Sequence, residues 1–316
     1  SKAKILSFMD QALFERRNRF PDKVHLQTRT LKYNRMRWVY ISGLVEHWRD
    51  SRVDADFDSQ VGISLKTKNV SSLILTNPHI SCCTKLHAFD LLIDDSIVKV
   101  PESKLSIPLI RAGDGAWTLG SPAPGLRKKH GLQGPIDDAF LSRFLVVAPD
   151  KASGNKLVDD WVTFEIAHLE KRWRELFRGD LPIKKASEIT DADRSSHHLV
   201  LWGTPKSNQL IAEIADKLPV TWENDKITAG KRSFSSSQHV PVLIYPNPLN
   251  PRKYVVLNSG PTFREAHDRT NSLQNPKLPD WAILDLTQPP DAEAAGKVVA
   301  TDFFDERWNL KPARED

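Results

Sequence analysis

Three short stretches carry the side chains whose types and spacing could do chemistry. Leu201-Trp202-Gly203-Thr204-Pro205-Lys206-Ser207-Asn208 joins an apolar run to a helix-patterned segment. Gly203 permits a tight turn and Thr204 can cap a helix with Pro205 at its first position. The free amides of such a turn, beside Lys206, would suit an anion. Asn258-Ser259-Gly260-Pro261 follows another apolar run, and Pro246-Asn247-Pro248-Leu249-Asn250-Pro251 a third. Loops at the carboxyl ends of strands are where open α/β sheets hold ligands, so the three are expected to converge on one crevice. Gly134-Pro135-Ile136-Asp137-Asp138 adds two carboxylates that could bind a metal or act as a general base. The candidate crevice set is therefore Asp138, Thr204, Lys206, Ser207, Asn208, Asn258 and Ser259. Each of these residue types also serves turns and helix caps, and that reading competes at every position.

The motifs that would sharpen the chemistry are missing from the sequence. It has neither a G-x-G-x-x-G fingerprint nor a G-x-x-x-x-G-K-[ST] phosphate loop, and no H-E-x-x-H zinc pair. Ser259 lacks the G-x-S-x-G elbow that exposes a hydrolase nucleophile. His197 and His198 are adjacent, while His79, His87, His239 and His267 are scattered. Cys82 and Cys83, the only cysteines, would point to opposite faces of a strand, which excludes a disulfide framework and a thiolate cage. No metal and no cofactor are expected.

Stepping from these residues to the elements that would hold them, residues 3–19 place Ile5, Leu6, Met9 and Leu13 at helical spacing. Arg16, Arg17 and Arg19 lie at the carbonyl pole, and Pro21 ends the helix. Residues 1–23 thus read as a linking helix. From Val24 to about Leu119 the sequence turns to short runs rich in Val, Ile, Thr, Trp and Tyr, such as Arg37-Trp38-Val39-Tyr40-Ile41 and Val61-Gly62-Ile63-Ser64-Leu65. Their alternation predicts an antiparallel β-rich domain spanning residues 24–133, including a Gly- and Pro-rich connector over 120–134 and an exposed basic run at Arg127-Lys128-Lys129-His130. Residues 134–316 change rhythm. Phe144-Leu145-Val146-Val147-Ala148 is a continuous apolar run, followed by Val158, Val162, Ile166, Leu169, Trp173 and Leu176 on one helical face. Leu199-Val200-Leu201-Trp202 leads into a helical pattern over 205–217, and further strands are expected at 242–245, 254–257 and 281–284. The expected architecture is a largely parallel three-layer α/β domain.

Composition limits the class. An apolar content of 40% over 316 residues supports more than one core. With 27% charged residues and a mean hydropathy of −0.43, no stretch reaches the ~20 apolar residues of a membrane crossing, so insertion is not expected. Residues 1–133 carry 21 basic against 13 acidic side chains, the remainder 24 against 27. The basic residues are dispersed through candidate strands without a basic helix or stacking platform, which argues against nucleic acid as a partner.

Taken together, Arg17-Asn18-Arg19-Phe20-Pro21, Leu31-Lys32-Tyr33-Asn34-Arg35-Met36-Arg37-Trp38-Val39-Tyr40-Ile41, Glu46-His47-Trp48 and Thr67-Lys68-Asn69-Val70 resemble the region directly after the catalytic histidine in large prolyl-oligopeptidase-like serine hydrolases of planctomycete-type bacteria. The resemblance extends through Gly134 to Phe140, Leu199 to Gly203, Ser207-Asn208, Ile244 to Pro251 and Pro279-Asp280-Trp281. It implies an α/β-hydrolase domain upstream, carrying the whole catalytic triad, so no catalytic residue carries over to this chain.

The leading expectation is a noncatalytic accessory C-terminal region that supports assembly or substrate access, with the upstream hydrolase domain as partner. Trp38, Tyr40 and Trp48 are the candidate contacts for it. An independent hydrolase using Asp138, Ser207, Asn208 and Ser259, or a carbohydrate- or peptide-binding module, are the alternatives. Two adjacent cysteines do not fix a compartment, and export is expected only if a signal peptide is encoded upstream.

Overall fold

The computed structural model describes residues 2–14, 18–81, 86–223 and 225–312. Arg16, Arg17, Cys82 and Cys83 lie outside the described residues. The chain divides into two compact units, Ser1–Pro124 and Gly125–Asp316. Among the described residues, no helix is long and apolar enough to cross a membrane.

The first unit opens with α1 (Lys2–Phe14), on which Ile5, Leu6, Phe8 and Met9 are exposed. Its strands are β1 (Lys23–Thr28), β2 (Arg35–Met36), β3 (Val39–Leu44), β4 (Ser51–Asp58), β5 (Gly62–Lys68), β6 (Val70–Thr76), β7 (Phe89–Ile93), β8 (Ser96–Val100), β9 (Ser106–Arg111) and β10 (Trp117–Leu119). They form two five-stranded sheets, ordered β1-β4-β5-β7-β8 and β10-β9-β6-β3-β2. Pairing is antiparallel except between β5 and β7, because the intervening β6 belongs to the other sheet. The expected alternation is seen directly: every second residue of β1 and β4 is buried. Both sheets feed one apolar core that includes Leu26, Trp38, Ile41, Val53, Leu65, Leu73, Ile93 and Leu109, as a residue period of two dictates.

The second unit contains β11 (Phe144–Ala148), α2 (Lys156–Phe177), β12 (Ile183–Lys185), α3 (Asp191–Ser196), β13 (His198–Leu201), α4 (Gln209–Ile214), β14 (Val220–Glu223), β15 (Lys226–Ala229), β16 (Arg232–Ser235), β17 (His239–Asn247), β18 (Asn250–Leu257), β19 (Trp281–Asp285) and β20 (Lys297–Asp302). Seven of the strands form one sheet, ordered β12-β11-β13-β18-β17-β19-β20. The four neighbours β12, β11, β13 and β18 are mutually parallel, whereas β17 runs antiparallel to both β18 and β19. The chain leaves β11 sideways to β12 and then returns past β11 to β13. Right-handed crossovers in opposite lateral directions put α2 on one face and α3 on the other, and the connections leaving β11 and β13 in opposite directions make the gap between them the topological switch point. Strands β11, β13 and the end of β18 are buried on both faces, as their unbroken apolar runs require.

Three expectations are corrected. The basic run is not uniformly exposed: Lys128 is fully buried and ion-pairs with Asp280 at 2.6 Å, so residues 125–133 are packed into the second unit. The helix expected over 205–217 is confined to α4 and a following 3-10 turn at Ala215–Lys217. The Pro246–Pro251 segment is the hairpin between antiparallel β17 and β18, which places it at the sheet edge opposite the Thr204 and Asn258 loops. The small sheet β14-β15-β16 lies between α4 and β17 in sequence and has no counterpart among the expected strands.

Candidate functional site

Two of the three strand-end loops do meet at the carboxyl edge of β13 and β18. The Asn258 carboxamide accepts from Gly203 N–H at 2.8 Å and donates to Gly203 C=O at 3.1 Å, and also donates to Pro241 C=O at 3.3 Å. Asn258 holds φ at 51°, in the left-handed region that Asn tolerates better than most residues. Gly203 has φ 107°, and a Cβ there would stand 2.5 Å from Ser207 Oγ. The loop pair is therefore welded by side-chain-to-backbone bonds in which all partners are buried or nearly so.

The backbone amides expected to hold an anion at the Thr204 turn are occupied by hydrogen bonds within the turn. Thr204 N–H donates to Ser207 Oγ, Lys206 N–H to Thr204 Oγ1, and the Ser207 and Asn208 amides both donate to Thr204 C=O. The backbone donors an anion would need are thus taken, leaving only the Lys206 side chain. The cap of α4 is Asn208 and not Thr204: its Oδ1 accepts from the Leu210 and Ile211 amides, and its Nδ2 reaches Trp202 C=O at 3.0 Å. Residues 205–207 form a turn that the Thr204 and Ser207 hydroxyls close on themselves.

Ser259 Oγ donates to Gly260 C=O at 2.8 Å. Gly260 lets this loop lie against α2, since a Cβ there would be 2.8 Å from a methyl of Leu169. Ser259 borders a cavity of about 150 Å³ whose wall includes Val242, Leu284, Ala295 and the bidentate Glu165–Arg264 pair. That pair, at 2.9 and 3.2 Å with both side chains over nine-tenths buried, fixes α2 against the segment after β18. Asp138 lines neither this cavity nor the one described next; its carboxylate accepts from Tyr254 Oη at 2.9 Å, and burial with nearby Asp138 pushes the Tyr254 phenol well above its usual range. Its neighbour Asp137 accepts from the amide and hydroxyl of Thr262, while burial pushes its carboxyl up to about 6.

The larger opening lies at the switch point. A cavity of about 650 Å³ is bordered by the loop from β11 into α2, the Thr204-Pro205-Lys206 turn after β13, and the β14–β16 sheet. Thr204 and Lys206 were legible as candidates; Lys156, Trp222, Asp225 and Ser236 on its wall were not, because they come from segments without a chemical motif. The Asn155 side chain caps α2 and donates to the Ser236 and Ser237 carbonyls, tying the wall of small strands to the helix start.

Among the described residues, neither the Ser207 nor the Ser259 hydroxyl is bonded to a histidine. His198 accepts from Tyr254 N–H, His197 sits on Asp193 C=O, and His239 on Ser235 C=O. No group of three or more His, Cys, Asp or Glu among the described residues could hold a metal ion. On the first unit, Trp38 is corrected from surface contact to core: it is 1% exposed and its Nε1 donates to Pro21 C=O. Tyr40 and Trp48 are half-buried. Comparison with family models, curated proteins and solved structures finds no match to this chain.

Proposed function

We propose that this chain is a noncatalytic accessory region of a serine hydrolase, working with an α/β-hydrolase domain that carries the catalytic triad. The observation that carries the reading is the occupation of the strand-end groups: Ser207, Asn208, Asn258 and Ser259 spend hydrogen bonds on the backbone of the strand ends and loops around them. Activated-serine chemistry needs a hydroxyl set against a base with donors left over for an oxyanion. The resemblance of the sequence blocks to the region following the catalytic histidine of prolyl-oligopeptidase-like enzymes supports the same division of labour.

The contact surface belongs to the β-rich unit in this reading. Tyr33, in the turn before β2, and Met36, in β2, are exposed, and Tyr40, across from Arg35 on β3, is half-buried around this sheet edge. Aromatic side chains in such a patch are the usual anchors of an interface. A tagged copy of this chain is expected to retain a separately expressed hydrolase domain of the same protein, and Tyr33→Ala with Tyr40→Ala to weaken retention. A folded, active hydrolase domain that passes through unretained removes the accessory reading.

A further inference from the structure

The crevice at the switch point is assembled from three segments far apart in sequence, and one of them is a separate small sheet that sends Val220, Ile227 and Ala229 into the main core. Strands β14, β15 and β16 form a sheet of their own, separate in pairing from the seven-stranded sheet, and are held to the start of α2 by the Asn155 carboxamide. Their effect is to raise a wall beside the carboxyl ends of β11 and β13, turning an open sheet edge into a cavity of about 650 Å³. That is within the ~300–1,000 Å³ typical of small-molecule sites. The location is the one that parallel-sheet topology reserves for ligands, because the connections after β11 and β13 leave in opposite directions there.

The lining has a consistent chemistry. Trp222 packs on the apolar core yet borders the cavity, giving a rigid aromatic surface. Ser153, Ser236, Asp225, Lys156 and Lys206 also border the cavity. Lys156 is paired with Asp160 at 2.6 Å, whereas among the described residues no carboxylate pairs with Lys206. An aromatic face with hydroxyl and carboxylate partners suits the apolar face and hydroxyl rim of a sugar ring. The uncompensated Lys206 adds a preference for negative charge.

We propose that this crevice is a binding site for an acidic saccharide, with a ring seated on Trp222 and its acidic group at Lys206. The role is recognition and requires no covalent step, so it stands or falls independently of the accessory reading.

Calorimetric titration of the whole chain with a glucuronate-containing disaccharide, its neutral glucose counterpart and inorganic phosphate tests this directly. Saturable binding of the acidic disaccharide, about tenfold tighter than of the neutral one, is expected, in keeping with a hydrogen bond to a charged group. Lys206→Gln should erase that preference, and Trp222→Ala should weaken both sugars. Because Trp222 also touches the core, Lys206→Gln, an exposed substitution, carries the test if Trp222→Ala does not fold. The proposal is overturned by any of three results: no saturable binding, equal affinity for neutral and acidic sugars, or phosphate binding as tightly as the acidic disaccharide. Affinities unchanged in Lys206→Gln overturn it too.

Discussion

Asn258 makes three hydrogen bonds to backbone groups of Gly203 and Pro241 while 1% exposed, from a left-handed φ of 51°. Asn258→Ala keeps the fold's outline but strands those groups in the interior. It is expected to cost about 3 kcal/mol in urea unfolding, since each buried polar group left unpaired costs roughly 1–3 kcal/mol. A loss under about 1 kcal/mol would mean that the strut holds little. Asp137 makes a second residue-level prediction, in pH. Burial raises its carboxyl from 3.8 to about 6 in the folded chain, so the native state keeps a proton that the unfolded chain has released. Its contribution to stability is complete below about pH 4 and is lost as pH rises through 6. The stability of Asp137→Asn relative to the parent should therefore improve between pH 4 and 6 and level off above; a difference that is flat across this range contradicts the raised value. Positions such as 207, 208, 258 and 259 were visible in the sequence as something out of the ordinary. Their role was not, because Asn, Ser and Thr satisfy a loop's own amides with the same atoms that would hold a ligand.

At the scale of elements, long periodic signals were readable and short ones were not. The apolar runs of β11, β13 and β18 and the helical face of α2 follow from burial on both faces or on one stripe, and appear where their patterns put them. Strands β14–β16 have four residues each and half-exposed patterns, too brief for period to distinguish them from loop. The turn at Pro246–Pro251 was misplaced because a Pro-rich segment reads as a loop without saying whether the next strand returns antiparallel. The basic run at 127–130 misled for a different reason: charge usually marks solvent, yet Lys128 is fully buried, at 2.6 Å from an equally buried Asp280 and 5.2 Å from the Trp308 ring. Asp280 also accepts from Phe304 N–H, so this one carboxylate joins residues 125–133, the start of β19 and the segment after β20. Lys128→Met leaves that carboxylate buried without its cation and should destabilise the second unit by about 3–5 kcal/mol. Thermal unfolding followed by circular dichroism measures it, and an unchanged transition would show that the pair is dispensable.

For the whole molecule, the β-rich unit and the α/β unit each bury their own core, with the boundary at 124–125, nine residues before the 133–134 division expected from the sequence. Charge balance, cysteine content and hydropathy argue against a helical membrane crossing and a disulfide scaffold, but they bear on class and not on activity. The central proposal is that this chain performs no serine-hydrolase chemistry of its own. Its most direct test is incubation of the purified chain with a fluorophosphonate serine probe, followed by intact-mass measurement. The account predicts an unmodified mass under conditions that fully label an active serine hydrolase. A stoichiometric adduct that disappears in Ser259→Ala or Ser207→Ala would contradict it.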